Sequence, residues 1–122
     1  MEIEQLVQRH LEGKTVYPAF LEEPAKGERP PRYYLAARLG NTPDNHIHHA
    51  RIAVQSYAPS LVEAMALNRA AYDAMQFLPE LSAVTAAGLV SDYNFTDTAT
   101  NRYRWQAVYE ISYYDDELKK QR

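Results

Sequence analysis

The sequence predicts an α+β domain: an antiparallel sheet of about four strands with two helices packed on one face, in the order α-β-β-α-β-β. Three observations carry this expectation. Apolar residues recur every three or four positions in two stretches, as on one-sided helices, and every second position in two others, as on half-buried strands. Ten tyrosines stand beside three phenylalanines and one tryptophan, and a tyrosine ring supplies sheet or interface area while its hydroxyl stays wet. The chain has 122 residues, which suits a single hydrophobic core.

The first helix is expected over residues 1–12, because Ile3, Leu6, Val7, His10 and Leu11 form one stripe, with Gly13 ending it. Residues 13–31 read as an exposed connection, since Pro18, Pro24, Pro30, Pro31 and Gly27 block regular pairing. Val16 to Phe20 is its one piece with the texture of a short edge segment. A hairpin follows over residues 32–57. Its first strand runs from Tyr33 to Leu39, its turn uses Gly40, Asn41, Pro43, Asp44 and Asn45, and its second strand alternates through Ala50, Ile52, Val54 and Ser56.

Residues 59–78 form the main helix. Ser60 and Glu63 stand in the spacing of a capping box, in which hydroxyl and carboxylate each satisfy an orphaned backbone N–H, and Pro79 stops the helix. Residues 88–114 form a second strand pair, with Gly88 turning the chain into a strand from Leu89 to Phe95 and a polar loop from Thr96 to Asn101 after it. Along the last strand Tyr103, Trp105, Ala107, Tyr109, Ile111 and Tyr113 share one face, opposite Arg104, Gln106, Glu110 and Ser112. Residues 115–122 are a charged tail. The core is predicted to consist of Leu6, Val7, Ile52, Val54, Leu61, Met65, Tyr72, Trp105, Tyr109 and Ile111.

Thirteen basic against sixteen acidic residues give a net charge of -3, with the basic residues scattered. No block of them matches a phosphate backbone, so sequence-independent nucleic-acid affinity is not expected. No apolar run approaches the roughly 20 residues of a membrane span, and Glu2 and Glu4 stand where a signal peptide needs positive charge. A soluble intracellular protein without membrane contact is the expectation. The absence of cysteine removes disulfides, thiolate metal sites and cysteine nucleophiles.

Few residues point to chemistry. His46, His48 and His49 are the one cluster resembling a metal site, yet Asp44 is the nearest carboxylate and a closed site needs three or four ligands. They read as a solvated turn. Glu22 and Glu23, like Asp115 to Glu117, fall in a loop and a tail, where carboxylates stay ordinary surface charges. No Ser sits in a nucleophile elbow and four glycines build no phosphate loop. Neither catalytic residues, nor a cofactor, nor a metal is expected. The row Tyr103, Trp105, Tyr109 and Tyr113 has the stacking surface of an RNA reader but only Arg102 and Arg104 as flanking charge, so it is read as packing against the main helix.

Three stretches carry a resemblance that spans about residues 16–114. They are "HHARIAVQSYAPSLVEAMALNRAAYDAM", a strand running straight into an Ala-rich helix; "RYRWQAVYEISYY", a final strand ending in tyrosines; and the Pro-rich connection before "RYYLAARLG". Together they resemble the tail terminator, or tail completion, proteins of long-tailed bacteriophages. The sequence departs from many relatives in having only Gly40 at the end of the first strand and a short loop at Thr96 to Asn101. The resemblance implies a virion structural protein of phage or prophage origin, made in the bacterial cytoplasm, and no enzyme. Its subunits would form a ring of six that caps the tail tube, stops its polymerisation and presents a surface to the head connector. The implied partners are further copies of the chain, the tail tube protein and the head–tail connector protein, with DNA passing through the ring without sequence-specific binding.

Two alternatives stay open: another neck component, such as a head-closure or head-to-tail joining protein, and a small dimeric α+β ligand-binding domain or enzyme using Tyr72 or His49. An enclosed polar cavity would favour the last. For a ring, a head-to-tail contact needs two different surfaces. The candidates are Tyr17, Phe20 and Leu21 in the connection, and on the other side the sheet edge or the loop with Thr96, Asp97 and Arg102. Exposed aromatics on a loop without a core of its own commonly anchor interfaces.

Overall fold

A computed structural model describes residues 1–121. Five strands form one mixed sheet in the order β1-β2-β3-β5-β4: β1 Ala19–Phe20, β2 Tyr33–Asp44, β3 Ile47–Ala58, β4 Val84–Asn94 and β5 Tyr103–Tyr114. Three α-helices accompany them, α1 Ile3–Lys14, α2 Leu61–Met75 and α3 Asp115–Lys119. The α+β class and the long antiparallel pairs agree with the sequence reading. The short β1 falls within the edge segment expected at Val16 to Phe20 and α3 within the charged tail. As a fifth strand and a third helix they exceed the four strands and two helices expected, and the parallel pairing of β1 with β2 goes beyond the sequence reading.

Both long helices lie on one face. Their buried residues Ile3, Leu6, Val7, Leu11, Leu67, Ala71, Ala74 and Met75 join one cluster with Tyr34, Ile52, Val54, Tyr109, Ile111 and Tyr113 of the sheet. The two helices are also tied directly, the buried His10 Nε2 lying 2.7 Å from the carbonyl of Ala74. In α2 the inward stripe is Ala64, Leu67, Ala71, Ala74 and Met75, mostly the small residues. This corrects the expected core: Met65 is 47% and Tyr72 41% exposed, and Leu61 and Trp105 are only half-buried. The sheet supplies the bulk itself through Tyr34, Tyr109 and Tyr113, so the helix must present alanines to approach it. A contact surface needs complementary volume rather than large residues from both partners.

The element boundaries shift for identifiable reasons. Helix α1 continues through Gly13 to Lys14, and Thr15 ends it by donating its hydroxyl to the Leu11 carbonyl at 2.7 Å. The β2–β3 hairpin is longer than expected. Gly40 to Asp44 remain in the ladder, leaving only Asn45 and His46 as the turn, with Asn45 in the left-handed region at φ 54°, which asparagine tolerates well. A bulge between Arg38 and Gly40 leaves Leu39 out of register and 58% exposed. Likewise Gly88 does not start β4 but lies inside it, and the Ala-rich stretch from Val84 is strand. At α2 the Ser60 hydroxyl accepts from the Glu63 N–H at 3.2 Å, whereas the Glu63 carboxylate accepts from the Ser60 hydroxyl and from Arg32. The charged tail turns into α3 with Leu118 buried; its last residue, Arg122, lies outside the described residues.

Candidate interaction surface

The Pro-rich connection is fastened to its own sheet. The Pro18 carbonyl accepts from the Tyr34 N–H at 2.9 Å, and the Ala19 carbonyl accepts from the Gln8 side chain at 2.9 Å. Tyr17 and Phe20, three positions apart, then reach opposite faces of the sheet, as strand alternation dictates. Tyr17 meets Tyr34 edge-on at 5.9 Å on the helix-covered face. Phe20 meets Tyr33 edge-on at 5.7 Å on the opposite, open face. Leu21 packs against the main core cluster. All three are thus partly buried against their own chain.

On the open face a row of side chains crosses four strands at one end of the sheet. Tyr33 of β2 stacks on Tyr57 of β3 at 4.7 Å and 8°. The Arg102 guanidinium lies 4.6 Å from the Tyr57 ring centroid, and Arg104 lies 4.3 Å from that of Phe95. A hydrogen-bonded chain runs beside this row. Arg104 donates to the Tyr57 hydroxyl at 3.3 Å, Tyr57 to Gln55 at 2.8 Å, Gln55 to Gln106 at 2.8 Å and Gln106 to the Tyr93 hydroxyl at 2.5 Å.

Glu23 closes this end. Its Oε1 accepts from the Tyr33 hydroxyl and from Arg102 Nη2, both at 2.5 Å, and lies 3.4 Å from Arg29. Burial pushes the Glu23 carboxyl up, but the Tyr33 hydroxyl and the Arg102 guanidinium outweigh it and hold the group below the ordinary carboxylate value. Burial first, and then the hydrogen bond to Glu23, push the Tyr33 hydroxyl well up. The result is a charged patch of Glu23, Arg29 and Arg102 laid over the buried rings of Tyr33 and Tyr57, each 3% exposed, with its side chains already ordered. Such a surface loses little rotamer freedom when it is covered.

The structure therefore brings together the two stretches expected on different sides. Phe20 and Arg102 both touch Tyr33, so the connection and the loop before β5 are one composite surface. Thr96 and Asp97 belong to the loop's architecture. Thr96 binds the Asn94 side chain through its N–H at 3.0 Å and its hydroxyl at 2.6 Å. Asp97 accepts from the Thr100 hydroxyl at 2.7 Å and the Ala99 N–H at 3.1 Å, and the Thr100 bond leads in keeping its carboxyl low.

The far end of the strands differs in chemistry. His46 in the hairpin tip lies 3.8 Å from Asp116, both exposed. Around them stand Asp44, the α3 carboxylates Asp115 and Glu117, and their lysine partners Lys119 and Lys120. Twelve-residue strands at about 3.4 Å per residue separate the two ends by on the order of 35 Å. The three histidines near the hairpin diverge: His48 packs on Tyr113, while His49, on the other face, lies 2.8 Å from the Ser112 hydroxyl.

Sequence reading missed a third surface. Between α2 and β4 an open groove is lined by Val62, Met65, Tyr72, Leu89, Asp92 and Trp105. The signal was present in the alternation of large and small residues along α2, which assigns Val62, Met65 and Tyr72 to the side opposite the alanines. No protein-family model matches the chain, and no curated protein matches it.

Proposed function

We propose that the protein is a bacteriophage virion subunit of the tail-terminator kind, assembling head-to-tail into a ring of six that caps the tail tube, halts its growth and receives the head connector. The observation that carries this reading is the polarity of the subunit. A head-to-tail contact uses two different surfaces and closes into a ring when its rotation fits the symmetry. Here one end of the sheet carries the Phe20–Tyr33–Tyr57–Arg102 assembly bound to Glu23, and the other end carries the carboxylates of the hairpin tip and α3. The first surface is ordered by contacts between segments 79 positions apart, which suits a permanent interface more than a free loop. In this reading the composite end of one subunit meets its neighbour, while the tail tube protein and the connector protein contact the ring from its two sides. DNA passes through without sequence-specific binding.

The isolated protein is expected to be monomeric or weakly associated when dilute, and to form the ring fully on the tail tube. Two variants test the interface. Phe20→Asp places a charge on the composite surface, and its melting curve shows whether the Tyr33 contact is also needed for folding. Gly27→Trp adds bulk in the connection where a new Cβ meets nothing within 4 Å. Both should give over-long tails by electron microscopy and a loss of infectious particles. Normal tails and full infectivity with both would remove this end from the interface, and normal tail length after deletion of the gene would end the terminator reading itself.

A further inference from the structure

We propose that the groove between α2 and β4 is a docking site for an extended, basic peptide segment of another protein, which adds as a strand to the free edge of β4. The site is separate from the two ends considered above, and the inference does not depend on the ring.

The edge comes first. β4 pairs only with β5 and ends the sheet, so along its outer side every second residue turns an N–H and a C=O away from any partner strand. Edges of this kind are usually blunted by lysine or proline, yet residues 84–94 contain neither, and Asp92 is their one charge. Leu89, Val90 and Tyr93 are exposed along it. The bulge between Leu89 and Ser91 bends the strand, which disfavours a second rigid sheet edge as the occupant. A flexible segment can follow the bend.

The groove beside this edge has apolar walls and an unsatisfied floor. Val62, Met65 and Tyr72 stand on the α2 side and Leu89 on the β4 side, with Val62 75% exposed. Met65 is an unbranched side chain that adapts to different occupants. Among the described residues, three buried polar atoms in or beneath this groove have no hydrogen-bond partner: Trp105 Nε1, Asn68 Oδ1 and the Tyr109 hydroxyl. The Tyr109 residue is 1% exposed, and its hydroxyl feels Asp92, Tyr72 and Asp73, all of which line the groove. Buried polar groups are normally paired, so each such exception calls for a partner.

Charge selects the kind of segment. The carboxylates of Asp73 and Asp92 both border the groove, and neither forms an ion pair among the described residues; Asn68 donates weakly to Asp92 at 3.4 Å. Arg69 lines the same groove, so the balance is acidic by one charge. The occupant is therefore an extended segment with an apolar side chain at alternate positions and one lysine or arginine, held by main-chain bonds to β4 and by side-chain fit in the groove, as in strand addition generally.

Trp105 is the chain's single tryptophan and reports on its own site. The probe is an acetylated, amidated nonapeptide of alternating valine and threonine with one central lysine, compared with the same peptide carrying glutamate. The lysine peptide should shift the Trp105 indole N–H resonance, protect amides of residues 86–94 from hydrogen exchange, and bind at least tenfold more tightly than the glutamate peptide. Asp92→Lys should reverse that preference, and Met65→Ser, a neutral change that removes the apolar wall at an exposed position, should weaken binding several-fold without lowering the melting temperature. Millimolar peptide that leaves Trp105 and β4 unperturbed would overturn the proposal. So would equal binding of both peptides, or protection of the β4 edge by self-association in the absence of peptide.

Discussion

The Glu23 carboxylate and the Arg102 guanidinium meet at 2.5 Å across 79 positions of chain, and the Tyr33 hydroxyl bonds to both. The connection after α1 and the loop before β5 are thereby locked to the same end of the sheet.

An acid dependence follows. The folded-state value of Glu23 lies below its ordinary value of 4.5, so its contribution is present above about that pH and is lost as pH falls through the folded value. Both side chains are partly exposed, which limits the pair to about 1 kcal/mol or less. Glu23→Gln should be less stable than wild type by that amount in urea unfolding at neutral pH, and the difference should close in acid. A gap that persists when the carboxylate is protonated would show that the residue acts through packing instead.

The corrected core gives a sharper contrast. Ile111 and Ile52 are fully buried, and truncating either to alanine should cost about 2 to 5 kcal/mol through lost burial and cavity formation. Met65→Ala, on the exposed side of α2, should stay within about 0.5 kcal/mol. Denaturant midpoints at constant slope measure both; a Met65→Ala cost as large as that of Ile111→Ala would return Met65 to the core.

Period-2 alternation from Tyr103 to Tyr113 placed β5 and the face of each side chain, although burial itself alternates only from Tyr109 to Tyr113: Gln106 and Val108 on the open face are buried too, and Tyr103 is exposed. Helix α2 was harder to read. Its alanines carry propensity whether exposed or buried, and only the bulk of the facing Tyr34, Tyr109 and Tyr113 decides that the small stripe turns inward. Of the six residues singled out in the connection and the loop, only Phe20 and Arg102 reach the composite end; Tyr17 and Leu21 turn to the core instead. The junction of connection and loop was not legible, since nothing local to Glu23 indicates that a tyrosine ten positions on and an arginine 79 positions on will share its oxygen.

Tyr34 spans the interface between sheet and helix, its buried hydroxyl donating to the Leu67 carbonyl at 2.7 Å. That carbonyl lies within α2, where it also serves the helix, so removing the hydroxyl leaves no orphaned acceptor. Tyr34→Phe should therefore cost about 0.5 to 1.5 kcal/mol, the net worth of one buried hydrogen bond. A larger loss in equilibrium unfolding would mean that the ring itself repacks.

Alkaline titration tests the tyrosine-built core as a whole. Burial pushes the hydroxyls of Tyr34 and Tyr109 well above their ordinary value of 10.0, with nearby tyrosine and aspartate charge adding to it; Tyr113 is raised by burial as well. The neutral phenol is thus favoured in the folded state, which keeps protons that the unfolded chain gives up. Stability from these groups is full below about pH 10 and is lost as pH rises toward the folded values. The tyrosinate absorbance of Tyr34, Tyr109 and Tyr113 should accordingly appear only with unfolding, as a late and cooperative rise. Tyr34→Phe, one buried phenol fewer, should lose stability less steeply with pH in that window than wild type. A single smooth titration of all ten tyrosines with the fold intact would show that the buried hydroxyls reach solvent, and that the sheet–helix interface is looser than its packing implies.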